Sequence, residues 1–310
     1  MATLPAWFAA CRFIHFAALI QLSGILLFSE CLAPPALRRR LRQAFRGILT
    51  GLALGALASG GALLALQAGL MGQGWPDTVR PDVWSAVLHT AFGQVWYWHL
   101  LLLLAICCAS LGTRLSCRRY RLLWVLTMAA LLSLALVGHA AMYGGLRGAA
   151  QRGNQMLHFL AVAGWLGGLW PLLLSLRGLT HPRLRGEALK ALMAYSRCGH
   201  LWVALVILTG IGNTFLVLSH WPVALAQPYS RMLLIKILAV AAMVLLALTN
   251  RYRIVPTMRL DEALAIKRLT RLTLTEIALG VLALLLVSAF AMLEPNKFSV
   301  AADMSLAGLL

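Results

Sequence analysis

The feature that most constrains this chain is a series of long apolar runs separated by short basic loops. Eight runs are long enough to cross a bilayer: roughly 7–29, 45–71, 94–112, 121–143, 154–176, 200–219, 231–250 and 273–293. A hydrocarbon core about 30 Å thick needs about 20 apolar residues in a helix. Inside it every backbone polar group must be satisfied within the segment, which leaves helices as the structure of such runs. The expected class is therefore an all-α, polytopic integral membrane protein with eight transmembrane helices, forming a single membrane domain over 1–310. Of the 310 residues 61% are hydrophobic and only 12% charged, with little chain left for a soluble domain. The first run lacks a basic leader and a small-residue cleavage site, so it reads as a span and not as a removed signal. Between the second and third runs, a short amphipathic stretch (about 82–93) is expected to lie along the membrane surface.

Net charge of +18 raises the question of nucleic acid. The positions of the charges answer it, because twenty of the 27 Lys and Arg fall in alternate loops around 38–46, 114–121, 177–197 and 251–271. That is the pattern of cytoplasmic loops under the positive-inside rule, and it predicts that both termini are periplasmic. The chain carries no Walker loop and no Rossmann glycine pattern in a strand-helix context. Neither a nucleic-acid partner nor an enzymatic activity is expected, and any transport would be passive, ion-coupled or driven by trapping.

With that orientation, depth follows at about 1.5 Å per residue. His15, His99, His139 and His158 all fall in the outer half of their spans, and His220 ends the sixth. Ionisable groups at such depth are costly and mark functional sites. Met142 stands three residues after His139 on one helical face, and Met156 two residues before His158. His15, His99, His139 and His158 are the candidate copper ligands, expected to meet in one outer chamber with Met142 or Met156 assisting, since imidazole with thioether suits copper and the thioether favours Cu(I); Met is equally an ordinary filler of apolar helices. Arg12 lies one turn from His15, and Lys236 is a charge inside the seventh span. Thr209, Asn213, Leu216 and His220 form a stripe on the sixth. Arg12, Trp165, Asn213, His220 and Lys236 are candidates for lining or gating a path. Trp165 follows His158 by seven residues and is expected on the same face, walling the site. Glu276, in the eighth span, is a candidate partner for basic residues. The six cysteines lack a CxxC spacing and do not read as disulfides.

Three segments carry a family resemblance: HFLAVAGWLGGLWPL (158–172), GHLWVALVILTGIGNTFLVL (199–218) and RMLLIKILAVAAMVLLALTNRYRIVP (231–256). They resemble the CopD/PcoD family of bacterial copper-resistance inner-membrane proteins, and RFIHFAALIQLSGILLF (12–28) is similar to that family's opening helix. The resemblance implies copper transport across the inner membrane. It also implies delivery by a separate periplasmic CopC-like copper-binding protein, with copper moving toward the cytoplasm. Two other readings stay open. One is a b-type electron carrier holding haem between opposed histidines; the other is a copper sensor or scaffold subunit that moves no metal.

Overall fold

In the computed structural model the described residues are 3–112, 116–138, 144–218 and 228–290. They are helical, with no strand among them. Eight helices are long and apolar enough to cross a membrane, as the hydropathy pattern requires. In chain order the helices are α1 (Leu4–Leu27), α2 (Pro35–Met71), α3 (Pro81–Leu88), α4 (Ala91–Leu111), α5 (Cys117–Ser133), α6 (Gly145–Val162), α7 (Leu169–Gly178), α8 (Arg185–Leu218), α9 (Pro228–Thr249), the single turn α10 (Val255–Thr257), and α11 (Glu262–Phe290). α6 and α7 form one span through a wide π turn at Ala163–Gly167. π turns also end α1 (Phe28–Leu32) and α9 (Asn250–Ile254).

Prolines open the first turns of α1, α2 and α3, where the missing N–H would have had no helical partner. Side-chain caps open three others, among them α11, where Asp261 Oδ1 accepts from Leu264 N at 2.9 Å. Thr90 Oγ1 accepts from Gly93 N at 3.1 Å at the start of α4, and Ser116 Oγ accepts from Arg119 N at the start of α5. Boundaries differ from the hydropathy estimate in an instructive way. α2 has 37 residues, about 55 Å, so Arg38, Arg39, Arg40 and Arg42 ride on a helix projecting beyond the bilayer rather than on a loop. The fifth span begins at Gly145, not near 154, because polar residues at a helix end lower hydropathy without ending the helix.

α1 and the α6–α7 span are the inner elements, and α8 and α9 are the most peripheral. Leu19, Ile20, Leu22 and Leu26 of α1 are fully buried in one apolar core shared with α2, α4, α5 and the fifth span. The crossing of α1 and the fifth span is close because Gly24 faces Gly167. A Cβ on Gly24 would run into the backbone of Gly167 and the carbonyl of Ala163. In lipid, helices associate by packing and hydrogen bonding instead of hydrophobic drive, so small residues at a crossing set the approach.

At the end bearing the basic loops, Arg42 Nε donates to Glu30 Oε1 at 2.9 Å, and both side chains are 6% exposed. Arg42 also lies over the Tyr120 ring, 4.7 Å from its centroid, and Nη1 donates to Cys117 Sγ at 3.4 Å. This cluster ties the end of α1 to α2 and α5. At the opposite end, Asp77 accepts from the backbone N–H of Gln73 at 2.5 Å and closes the connection to α3. Nearby, a charge-assisted hydrogen bond from Arg80 holds the Asp82 carboxyl below the usual carboxylate range.

Candidate functional site

α1 and α4 cross α2 so that two imidazoles meet inside the bundle. His15 Nε2 and His99 Nε2 are 2.9 Å apart, and their rings, 5.1 Å between centroids, meet edge to face. Exposure is 0% for His15 and 1% for His99, so the pair is sealed from both lipid and solvent. An unsatisfied buried polar atom costs about 1–3 kcal/mol, and here all four ring nitrogens have partners. His15 Nδ1 is 3.1 Å from the carbonyl of Ala56 and 3.1 Å from Ser59 Oγ, both on α2. His99 Nδ1 is 2.7 Å from Ser133 Oγ at the end of α5. Trp96, one turn before His99 on α4, stacks near both rings at 5.6 and 4.9 Å. Its indole N–H donates to the carbonyl of Gly60 at 2.9 Å, which pins it between the pair and the start of α4.

These partners assign the protons. A carbonyl only accepts, and the Ser59 hydroxyl donates its hydrogen to Gly55 O at 2.6 Å, so His15 carries its proton on Nδ1 and presents a bare Nε2. His99 must then donate from Nε2 to close the 2.9 Å contact, with Nδ1 accepting from Ser133. Ser133 has a second outlet, the carbonyl of Ala130 at 2.8 Å. If the serine hydrogen turns there, His99 can hold its proton on Nδ1 and free Nε2 as well. The pair can thus offer two lone pairs to a cation without releasing a proton. An imidazole bond to a metal is about 2.0 Å, so linear two-coordination needs the nitrogens about 4 Å apart. Opening the contact by about 1 Å suffices.

A second polar cluster joins α6 to α8. His158 Nδ1 is 2.8 Å from Thr209 Oγ1, whose hydrogen goes to the carbonyl of Leu205. His158 is therefore the donor, and its Nε2 is left bare. One turn earlier, Asn154 Nδ2 donates to Asn213 Oδ1 at 2.8 Å and to Thr209 O at 2.9 Å. Lys236 of α9 comes within Coulombic reach of His158. The polar stripe of the sixth span thus faces the fifth through Thr209 and Asn213.

The four-imidazole chamber expected from depth is not what the described residues form. His15 and His99 meet, while His158 makes no hydrogen bond or ring contact with either. His139, Met142 and His220 lie outside the described residues. Among the described residues, no group of three or more His, Cys, Asp and Glu could hold a metal ion. Met156 is half-buried and packs against the apolar core. Arg12 lies over Phe16, 5.4 Å from the ring centroid, with its Nε buried and without a partner. Trp165 does not wall the histidine pair. It is 4% exposed, and its carbonyl accepts from Tyr195 O–H at 2.6 Å. The wall is Trp96, with Ser59 and Ser133 holding the rings. Sequence reading passed over these three because tryptophan and serine are common in membrane helices. The spacing Trp96–His99, one turn apart on α4, was the available signal.

Comparison with known proteins agrees with this architecture. Residues 1–149 match the family described as copper resistance protein D-like, N-terminal domain, and residues 189–290 match copper resistance protein D. Inner membrane protein YebZ of Escherichia coli (strain K12) is 38% identical over 286 residues, which is 92% of this chain and 97% of that protein. Copper resistance protein D of Pseudomonas syringae pv. tomato is 28% identical over 254 residues, 80% of this chain and 82% of that protein. Both histidines of the buried pair lie in the N-terminal match, and Thr209 and Asn213 in the C-terminal one. This chain belongs to the copper resistance protein D family of membrane proteins.

Proposed function

We propose that this chain carries copper across the bacterial inner membrane, with His15 and His99 as a two-coordinate Cu(I) station in the bundle. The carrying observation is the pair of facing Nε2 atoms, each ring held from behind at Nδ1. Two-coordinate nitrogen ligation leaves no position for water and suits a monovalent ion in an apolar enclosure. Trp96 stands between the pair and the end of α4 opposite the basic loops, and its displacement opens the station on that side. By the charge split that side is periplasmic, and copper arrives there from a CopC-like carrier. His158, with Thr209 behind it and Asn154, Asn213 and Lys236 around it, is a second polar position. It lies on a separate path between α6 and α8.

The haem reading draws on the same facing imidazoles, since bis-histidine ligation uses opposed Nε2 atoms from neighbouring helices. The packing around the pair favours the ion. Beside it, a Cβ on Gly60 would come within 3.3 Å of Leu103, Leu100 and His15. A porphyrin would have to part this whole face, whereas an ion needs the 1 Å opening worked out above.

The test is Cu(I) titration and absorbance of the purified protein, beside copper accumulation in cells. Cu(I) binding lost in both His15→Ala and His99→Ala, with altered cellular copper, supports the proposal. A strong Soret band lost in the same variants replaces it with the haem reading. Normal copper handling in both variants leaves the sensor or scaffold reading.

A further inference from the structure

Among the described residues, one buried acid has no cation to neutralise it. Glu276, on α11, is 2% exposed and forms no ion pair among the described residues. It stands fourteen residues after Glu262, about 21 Å along a helix of about 43 Å, and so falls at bilayer depth. Asn250 Nδ2 donates to Glu276 Oε1 at 2.7 Å, and the Trp165 side chain stands close to the same carboxyl. Beside it the other polar atom of Asn250, Oδ1, is an acceptor buried without any partner. The carboxyl thus has a donor for one oxygen, and the amide that supplies it also carries an unused buried acceptor.

The charged and titratable groups of the elements around Glu276 do not supply a counter-charge. Tyr195 of α8 is the titratable neighbour, and it donates to the Trp165 carbonyl. Arg251, next to Asn250, turns away to Ser196 Oγ at 2.6 Å. Tyr252 turns to His200. On α1, Arg12 is committed to Phe16, and Glu30 to Arg42 at the end of the π turn. Arg177 of α7, Arg253 and, one turn and more earlier on α11, Arg271 form no ion pair with it. Lys236 of α9 sits fourteen residues from Asn250, at the level of His158. An ionised carboxylate at this depth without a cation is expensive, and a group so placed takes a proton instead.

The hydrogen-bond donor to Glu276, Asn250, opens the π turn Asn250–Ile254, and its neighbour Trp165 stands in the π turn Ala163–Gly167. The third π turn supplies Phe28, whose ring meets Tyr195 at 5.6 Å between centroids. π turns are rare single-turn insertions that recur at functional sites. Gly167, in the same turn as Trp165, is the contact point with Gly24 of α1, nine residues from His15.

We propose that Glu276 is a reversible proton-binding site, and that its proton moves in step with copper. Uptake is the simple step of carboxylate plus proton giving the carboxylic acid. Loss of the proton turns the carboxylate on Asn250 and Trp165, strains the two π turns, and shifts the fifth span against α1. The coupling half rests on the copper-carrier reading; the proton-binding half does not.

Infrared difference spectra between acid and alkaline buffer, on the full-length protein in nanodiscs without copper, test the site itself. The expected result is a carboxylic C=O band in the wild type that is lost in Glu276→Gln and kept in Glu262→Gln, whose carboxylate lies in a solvent-accessible pair with Arg185. Identical spectra in wild type and Glu276→Gln overturn the proposal. Should Glu276→Gln fail to fold, Asn250→Leu serves. Removing one donor must move the band to higher wavenumber, and an unmoved band overturns the assignment. In proteoliposomes with an entrapped pH dye, copper movement must carry protons in the wild type and not in Glu276→Gln. Proton-free copper movement in the wild type overturns the coupling. Absence of copper movement altogether, with the infrared band present, rejects the carrier reading while leaving the proton site standing.

Discussion

Replacing Ser133 with alanine separates a built copper station from two histidines that merely touch. The hydroxyl of Ser133 lies 2.7 Å from His99 Nδ1 and 2.8 Å from the Ala130 carbonyl, so it can face His99 as donor or acceptor. That freedom lets His99 keep its proton on Nδ1 while Nε2 binds the ion. Without the serine, the Nδ1–H of a copper-bound His99 points into an apolar wall with no acceptor. A typical net hydrogen bond is about 1 kcal/mol, and an unsatisfied buried donor costs about 1–3 kcal/mol. Second-shell losses at metal-bound histidines run about 10–100-fold in affinity, which at about 1.4 kcal/mol per tenfold is the same range. Ser133→Ala should therefore weaken Cu(I) binding about 10–100-fold, with His15 and His99 intact. The assay is competition against a chromophoric Cu(I) chelator at fixed pH. Ser175→Ala is the control, since that hydroxyl is fully buried but bonds only to Pro171 O in its own helix. Unchanged affinity in Ser133→Ala, alongside lost binding in His99→Ala, would refute the proton-placement argument and leave His99 held by packing alone.

Other consequences follow from the same geometry. Gly24→Val should prevent stable assembly, because its branched side chain has no space against the Gly167 backbone; detergent thermal-unfolding and size-exclusion profiles will show it. Glu30→Ala leaves Arg42 buried and unpaired, and breaking one side of such a pair costs about 3–5 kcal/mol. A large fall in unfolding temperature should follow, smaller in the Glu30→Ala/Arg42→Leu double variant. His158→Ala should leave Cu(I) affinity at the His15–His99 pair unchanged, because the two sites share no hydrogen bond. An equal loss of affinity in His158→Ala and His99→Ala would mean that the imidazoles share one ion after all. Trp96→Ala should speed exchange of bound Cu(I) with external chelator, since it removes both the ring stack and the bond to Gly60.

Hydropathy alone determined that this chain is a bundle of eight membrane helices, because the absence of water in hydrocarbon permits few alternatives. Position along a helix was equally legible, so His15, His99 and His158 could be picked out by depth. Which histidines meet was not legible, because depth says nothing about the order of helices in the membrane plane or the rotation of each about its axis. Those are set where small residues allow contact, as Gly24 does with Gly167. Trp165 shows the limit most clearly. Seven residues from His158 put it on the same face of an ideal helix, but the π turn at Ala163–Gly167 breaks that register, and Trp165 stands near Glu276 instead. Glu276 itself was visible as a charge in an apolar run, yet the cytoplasmic arginines expected beside it form no ion pair with it. Tertiary structure decided these pairings because an isolated polar group in hydrocarbon takes whichever partner a neighbouring helix brings within about 3 Å, and sequence separation has no bearing on that distance.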